Sequence, residues 1–158
     1  MKQFKKYLLN EFQPAQIWAE SQVGRSFIAK HITSLDALRP RENDVLARVY
    51  EIIINGKSIY IGQSLRTIRR LYVHAHHLAY APEIYFGIKA EEIQTIEFRL
   101  ITPPVFDEKA RLGAEEALVK ARKPVLQPYH SIPGMRGDAC LPRGQARREA
   151  MIQSGAIQ

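Results

Sequence analysis

Leu46-Ala47-Arg48-Val49-Tyr50-Glu51-Ile52-Ile53-Ile54-Asn55-Gly56-Lys57-Ser58-Ile59-Tyr60-Ile61-Gly62 is the stretch whose reading decides the fold. Leu46 to Ile54 is aliphatic and β-branched, Asn55-Gly56 is a turn signal, and Lys57 to Gly62 reads as the returning strand. Side chains alternate faces along a strand, so the loop length decides whether the two tyrosines share a face. A strict two-residue loop carried through the hairpin pairs Tyr50 with Ile61 and sets the phenols on opposite faces. A three-residue Asn55-Gly56-Lys57 loop, with Gly56 at a left-handed bulge, pairs Ile54 with Ser58. Tyr50 then lies opposite Gly62 and Tyr60 opposite Ile52, with both rings on one face. The bulged loop is the expectation, and it leaves open space at Gly62 beside Tyr50.

Outward from the hairpin, a helix is expected from about Leu65 to Tyr80, and Pro82 and Gly87 mark a loop. Ile93 to Ile101 alternates, with Ile96, Phe98 and Leu100 on one face, as a strand does. Pro103-Pro104 breaks that strand. A helix from about Asp107 to Arg122 follows and is stopped by Pro124. The order strand, strand, helix, strand, helix gives an α/β (α+β) domain with a small sheet over about residues 45–130. Residues 1–44 read as a helical N-terminal extension: Phe4, Tyr7, Leu8 and Phe12 recur at helical spacing, Pro14 interrupts them, and a second piece holds Ile17 and Trp18. Ser34 is a candidate cap for a turn ended by Arg39-Pro40. Residues 131–158 form a loop-rich tail, with a basic helix carrying Arg143, Arg147 and Arg148 at its end.

The 158 residues carry 23 Lys and Arg against 16 Asp and Glu, a formal net charge of +7. Such an excess favours polyanions through phosphate contacts. Lys5, Lys6, Arg143, Arg147 and Arg148 are the candidate contacts outside the core. A single cysteine, Cys140, excludes an intramolecular disulfide and a CxxC zinc knuckle. No run approaches the roughly 20 apolar residues of a membrane span. Lys2, Lys5 and Lys6 before Tyr7-Leu8-Leu9 do not make a secretory signal, so a reducing cytoplasm is the expected compartment.

The first long helix divides into two faces at about 100° per residue. Leu65, Ile68, Leu71, Tyr72, Ala75, Leu78 and Ala79 fall on one, and Arg66, Arg70, His74 and His77 on the other. Arg70 and His74 stand one turn apart, a guanidinium to bind phosphate oxygens and an imidazole to relay a proton. A solvated basic face is the alternative. Zinc at His74, His76 and His77 lacks a completing ligand set.

In the second long helix, Glu116 has a solvent-side partner in Lys120, and Ala110, Ala114, Ala117 and Ala121 form a stripe suited to close packing. Glu115 falls among Leu112, Leu118 and Val119, where a carboxylate needs an ion pair or a cation. A salt bridge to Arg111 or Arg122 is one reading. A magnesium ligand is the other, since this hard ion takes one protein carboxylate with waters and phosphate oxygens.

Taken together these residues resemble the GIY-YIG nuclease family, over about Leu46 to Gln127. Arg48-Val49-Tyr50 stands at the first motif and Tyr60-Ile61-Gly62 at the second. Arg70 and His74 follow at the family's spacing. Glu115 to Val119, with Lys123-Pro124 and Gln127, is similar to the final segment. Arg48 replaces a glycine, adding a phosphate contact, and Gln127 replaces an asparagine that braces the site. The resemblance implies a three-stranded antiparallel sheet flanked by helices and a metal-dependent endonuclease hydrolysing phosphodiester bonds, double-stranded DNA above all. It implies Mg²⁺ or Mn²⁺ on Glu115, Tyr50 as general base with His74 as its relay, and Tyr60 positioning water or a phosphate oxygen. It further implies Arg70 stabilising charge on the phosphorane and Arg66 as a secondary contact. A tyrosine, with a free pKa of about 10, needs nearby cations to act as a base, and Arg70 and the metal are expected to supply them. Compact size leans towards a restriction- or defence-like enzyme, in which cutting both strands calls for a homodimer or sequential nicking. The rival is a catalytically inactive nucleic-acid-binding module of the same fold.

Overall fold

The computed structural model describes residues 12–33, 47–101, 105–127 and 140–158. Phe4, Tyr7, Leu8, Lys5, Lys6, the Ser34 cap, Arg39-Pro40, Pro103-Pro104 and the side chain of Arg143 lie outside them. The described chain is α+β. Helix α1 (12–20) and α2 (Gln22–His31) precede strands β1 (Arg48–Ile54) and β2 (Lys57–Ser64). Helices α3 (Thr67–Tyr80) and α4 (Pro82–Phe86), a 3₁₀ turn (Ala90–Glu92), strand β3 (Ile96–Leu100), α5 (Glu108–Arg122) and α6 (Cys140–Ser154) follow. The three strands form one open antiparallel sheet in the order β2-β1-β3.

The hairpin corrects one expectation while keeping its consequence. The loop has two residues, because Ile54 pairs with Lys57. Asn55 at φ 50° and Gly56 at φ 78° are both left-handed, as a type I′ turn requires. Distant chain holds Asn55 there. Its Oδ1 accepts from the N–H groups of Gln94 and Thr95, and its Nδ2 donates to the carbonyls of Glu92 and Ala156. The extra residue sits further along β2 instead. Ile53 pairs with Ser58 and Ile52 with Tyr60, so Ile59 is the bulge. The displaced backbone has partners on the outer edge, where Val125 N–H donates to Ser58 O and Leu126 N–H to Ile59 O. Beyond the bulge Tyr50 faces Gly62, so both phenols occupy one face by a different route.

That face carries the main core: Tyr50, Ile52 and Ile54 of β1 and Ile96 and Phe98 of β3 pack with Leu71, Ala75 and Leu78 of α3. Val73, which the helical pattern does not place on the apolar side, is buried as well. Helix α3 starts at Thr67, whose hydroxyl accepts from Arg48 N–H, while Leu65 is left exposed in the preceding turn. The expected loop at Pro82 is a short helix: proline at a first helical position gives up an N–H that has no intrahelical partner anyway. Pro14 likewise lies within helical residues 12–20 and does not interrupt them. Strand β3 is shorter than its pattern, because Ile93 ends the 3₁₀ turn and the N–H groups of Gln94 and Thr95 go to Asn55 Oδ1.

The flanking segments join the same core. Ser21 separates α1 from α2 and caps the latter, accepting from Gly24 N–H. A side chain at Gly24 would run into the Trp18 carbonyl, so the glycine sets the angle between these helices. Ile32 bridges to Ile96 at the outer edge of β3. Met151, Ala156 and Ile157, in α6 and just after it, are buried in the central cluster. Among the described residues no helix is long and apolar enough to cross a membrane.

Candidate functional site

Three of the expected site residues meet directly. The rings of Tyr50 and Tyr60 lie 6.2 Å apart, Tyr50 and His74 5.6 Å, and Tyr60 and His74 5.7 Å. The Tyr50 hydroxyl is 2.9 Å from His74 Nε2. It also shares a hydrogen bond with the Tyr60 side chain. Sheet register brings the phenols together, and the helical period turns His74 down onto them.

Gly62 makes room for this cluster. A Cβ built there lies 2.5 Å from the Tyr50 hydroxyl oxygen, 2.7 Å from Tyr50 Cζ and 2.9 Å from Tyr60 Cε1. These contacts belong to aromatic groups that cannot flex away. Gly62→Ala is therefore expected to destabilise the fold by about 1–3 kcal/mol in urea unfolding, as overpacking does. Adding Tyr50→Phe recovers part of that loss, because the nearest clash is with the hydroxyl.

Arg70 and Glu115 bear on Tyr50 through charge. Burial holds the Tyr50 phenol well above its ordinary value, Tyr60 raises it further, Arg70 lowers it and Glu115 raises it. The expectation that cations bring this phenol down thus fails for the protein alone. The Arg70 effect is present, but loss of water around a fully buried ring outweighs it.

Helix α5 gives the two glutamates different surroundings. Asp107 caps it, accepting from Ala110 N–H, and Lys123 ends it at φ 47° before Pro124 turns the chain towards β2. Glu116 is exposed and paired with Lys120 at 3.3 Å. Glu115 is half-buried, and its carboxyl is raised above 4.5 chiefly by desolvation, against the lowering effect of Arg111. Neither expected salt bridge forms. Buried Arg111 donates to Gln63 Oε1 and to the carbonyls of Val105 and Phe106. Arg122 is bound to Glu51. No described residue gives Glu115 a hydrogen bond or ion pair. The alanine stripe is also reassigned, since Ala110, Ala117 and Ala121 are exposed. The inward side of α5 is the one bearing Arg111, Glu115, Leu118 and Val119.

Sequence reasoning passed over Glu51. This carboxylate is fully buried on the face opposite Tyr50, where it accepts from the Ser58 hydroxyl and from Arg122, with Arg99 at 3.8 Å. The available signal was a charged residue inside the apolar run Val49–Ile54. Its role is to fix the C-terminal end of α5 to the sheet, as Arg111 fixes the N-terminal end, so Glu115 sits between two anchors.

Gln127 is buried against the outer edge of β2. Its Oε1 accepts from Ile61 N–H and its Nε2 donates to Ile61 O, both at 2.9 Å, closing the free edge of β2 next to Tyr60. Arg48 begins β1 on the tyrosine face, and its Nε is buried with no hydrogen-bond partner among the described residues. Arg66 is exposed at the start of α3. Arg147 and Arg148 are both engaged within the chain. Arg147 is only 5% exposed and donates to Ile84 O, and Arg148 binds both oxygens of Glu92. His76 lies against Trp18 and Tyr80, and His77 on Tyr85. Among the described residues no group of three or more His, Cys, Asp and Glu is placed to hold a metal.

No protein-family model, no curated protein and no solved structure matches this chain.

Proposed function

We propose that the protein is a metal-dependent endonuclease of the GIY-YIG type, hydrolysing phosphodiester bonds in double-stranded DNA. The observation that carries this reading is the Tyr50–Tyr60–His74 cluster, with a guanidinium and a carboxylate that no described residue pairs acting on it. A cation fits Glu115: the group is partly desolvated, its burial opposes its charge, and the lowering effect of Arg111 only partly offsets that burial. One carboxylate is enough for Mg²⁺ or Mn²⁺, which keep waters and take phosphate oxygens. Bound there, such an ion supplies charge stabilisation at the scissile phosphate.

The side chains account for the proton. Nε2 of His74 accepts from the Tyr50 hydroxyl in the Nδ1–H tautomer. The Tyr50 oxygen then has a lone pair for a proton of the attacking water. As the bond from water oxygen to phosphorus forms and the bond to the leaving sugar oxygen breaks, one proton passes from water to Tyr50 and another from Tyr50 to His74. The leaving oxygen takes a proton from solvent. This relay never requires a free phenolate, in keeping with the raised phenol. Tyr60 orients the water or a phosphate oxygen, and Arg70 stabilises charge developing on the phosphorus oxygens. Arg48 and Arg66 are secondary phosphate contacts. A restriction- or defence-like role in the cytoplasm, with a homodimer or sequential nicking for double-strand cuts, is part of the proposal.

Incubation with supercoiled plasmid and Mg²⁺ tests it. Conversion to open-circular or linear DNA, abolished by chelation, is expected. Binding without cutting in any divalent metal would leave a nucleic-acid-binding module, and neither binding nor cutting would remove the proposal.

A further inference from the structure

Three apolar side chains lie exposed around the junction of α3 and α4: Tyr80 at 83%, Ile84 at 61% and Tyr85 at 37%. One of them is already organised. The Tyr85 ring stacks on His77 with centroids 3.7 Å apart and planes only 2° from parallel. His77 shares a helix face with Arg66 and Arg70, and seven residues separate it from Arg70, about 10 Å along the axis. Arg70 is near enough to act on the His77 ring. Burial, His76 and Arg70 together hold His77 down at about 4, so the ring is neutral at pH 7 and adds no phosphate-binding charge. A neutral, flat aromatic pair continuing a stripe of arginines is what an unstacked base needs: cations for the backbone, then a π face.

We propose that the His77–Tyr85 pair is a stacking platform for an unpaired base of the nucleic-acid substrate, a few nucleotides from the phosphate held at Arg70. The inference rests on the nuclease reading and deepens it, because it assigns the enzyme a substrate with locally opened base pairs. Charge complementarity selects this occupant: the arginines lie on the same face of α3, in a chain of net charge +7. A protein partner offers no reason for them.

The test uses the full chain without divalent metal, so that nothing is cut. Its probe is a set of duplex oligonucleotides carrying 2-aminopurine at successive positions, with and without a mismatch at the probe. Wild type is expected to quench the fluorescence at a mismatched position and to bind that duplex more tightly than the fully paired one. Tyr85→Ala is expected to lose the quench and weaken binding about five- to hundredfold, the range for one stacked base. The salt dependence stays unchanged, since no phosphate contact is removed. Tyr85→Phe keeps both signals. Tyr85→Leu preserves apolar volume without a π face and behaves like Tyr85→Ala, which separates lost stacking from a folding defect. Equal quench and affinity in wild type and Tyr85→Leu would overturn the platform while leaving the nuclease reading intact. So would equal losses in Tyr85→Phe and Tyr85→Ala, or a change of oligomeric mass on substitution, which would mark a self-association surface. No binding of any oligonucleotide by wild type would remove the nuclease reading as well.

Discussion

Glu115→Ala is expected to lower plasmid cleavage by about 10²–10³-fold, the loss of several kcal/mol of charge stabilisation in the transition state. Glu116→Ala, one residue along the same helix, stays within about twofold of wild type. The contrast follows from position. Glu116 is solvated and paired with Lys120, and such exposed pairs contribute little. Glu115 is half-buried and raised, so its ionisation is disfavoured by folding. The sign is definite. A carboxyl whose folded pKa exceeds 4.5 binds its proton more tightly in the native state, and stability falls as pH rises through the folded value. Removing the carboxylate should therefore leave Tm unchanged or raised at neutral pH, whereas breaking a structural ion pair would lower it. Cleavage should also fail on the acid side at a higher pH than an ordinary glutamate predicts. Glu115→Ala with intact cleavage, or with equal loss in Glu116→Ala, would discard the assignment.

Tyr50→Phe is expected to reduce kcat by about 10²–10⁴-fold, the usual contribution of a positioned acid–base group, while uncleaved substrate binds within about twofold. The ring remains to fill the core, so the change removes the proton path and little else. An independent signature lies in alkaline stability. Burial raises the phenol above 10.0, so the unfolded chain loses this proton first and the fold weakens as pH climbs past 10.0. Phenylalanine has no such proton, and the decline with pH should be shallower in the variant. Unchanged turnover would move the role of base to Tyr60 or His74.

Much of this geometry was legible in the amino-acid order. β-Branched residues around Asn55-Gly56 specified the hairpin, and Asp107 with Pro124 marked the limits of the second long helix within a residue. What escaped reading depended on distant partners. The turn type rests on Asn55 bonds to residues 92, 94, 95 and 156, and the Ile59 bulge on backbone donors at 125 and 126. Asn-Gly does favour the two-residue type I′ turn locally, but the bulge leaves no such local record. Arg147 and Arg148 look like free cations because Ile84 O and Glu92 lie some 60 positions away in the chain. Pro82 reads as a breaker unless the start of a helix is already known.

Asn55 also ties the first hairpin to a distant point of the chain, the Ala156 carbonyl 101 positions later. A ribosome releases the proposed catalytic tyrosines long before that carbonyl exists. The turn that aligns them therefore gains this support only once the chain 101 positions further on has emerged. Nascent chains cut short before residue 156 would carry every proposed catalytic side chain and still lack this support, so full assembly of the proposed centre waits for that residue.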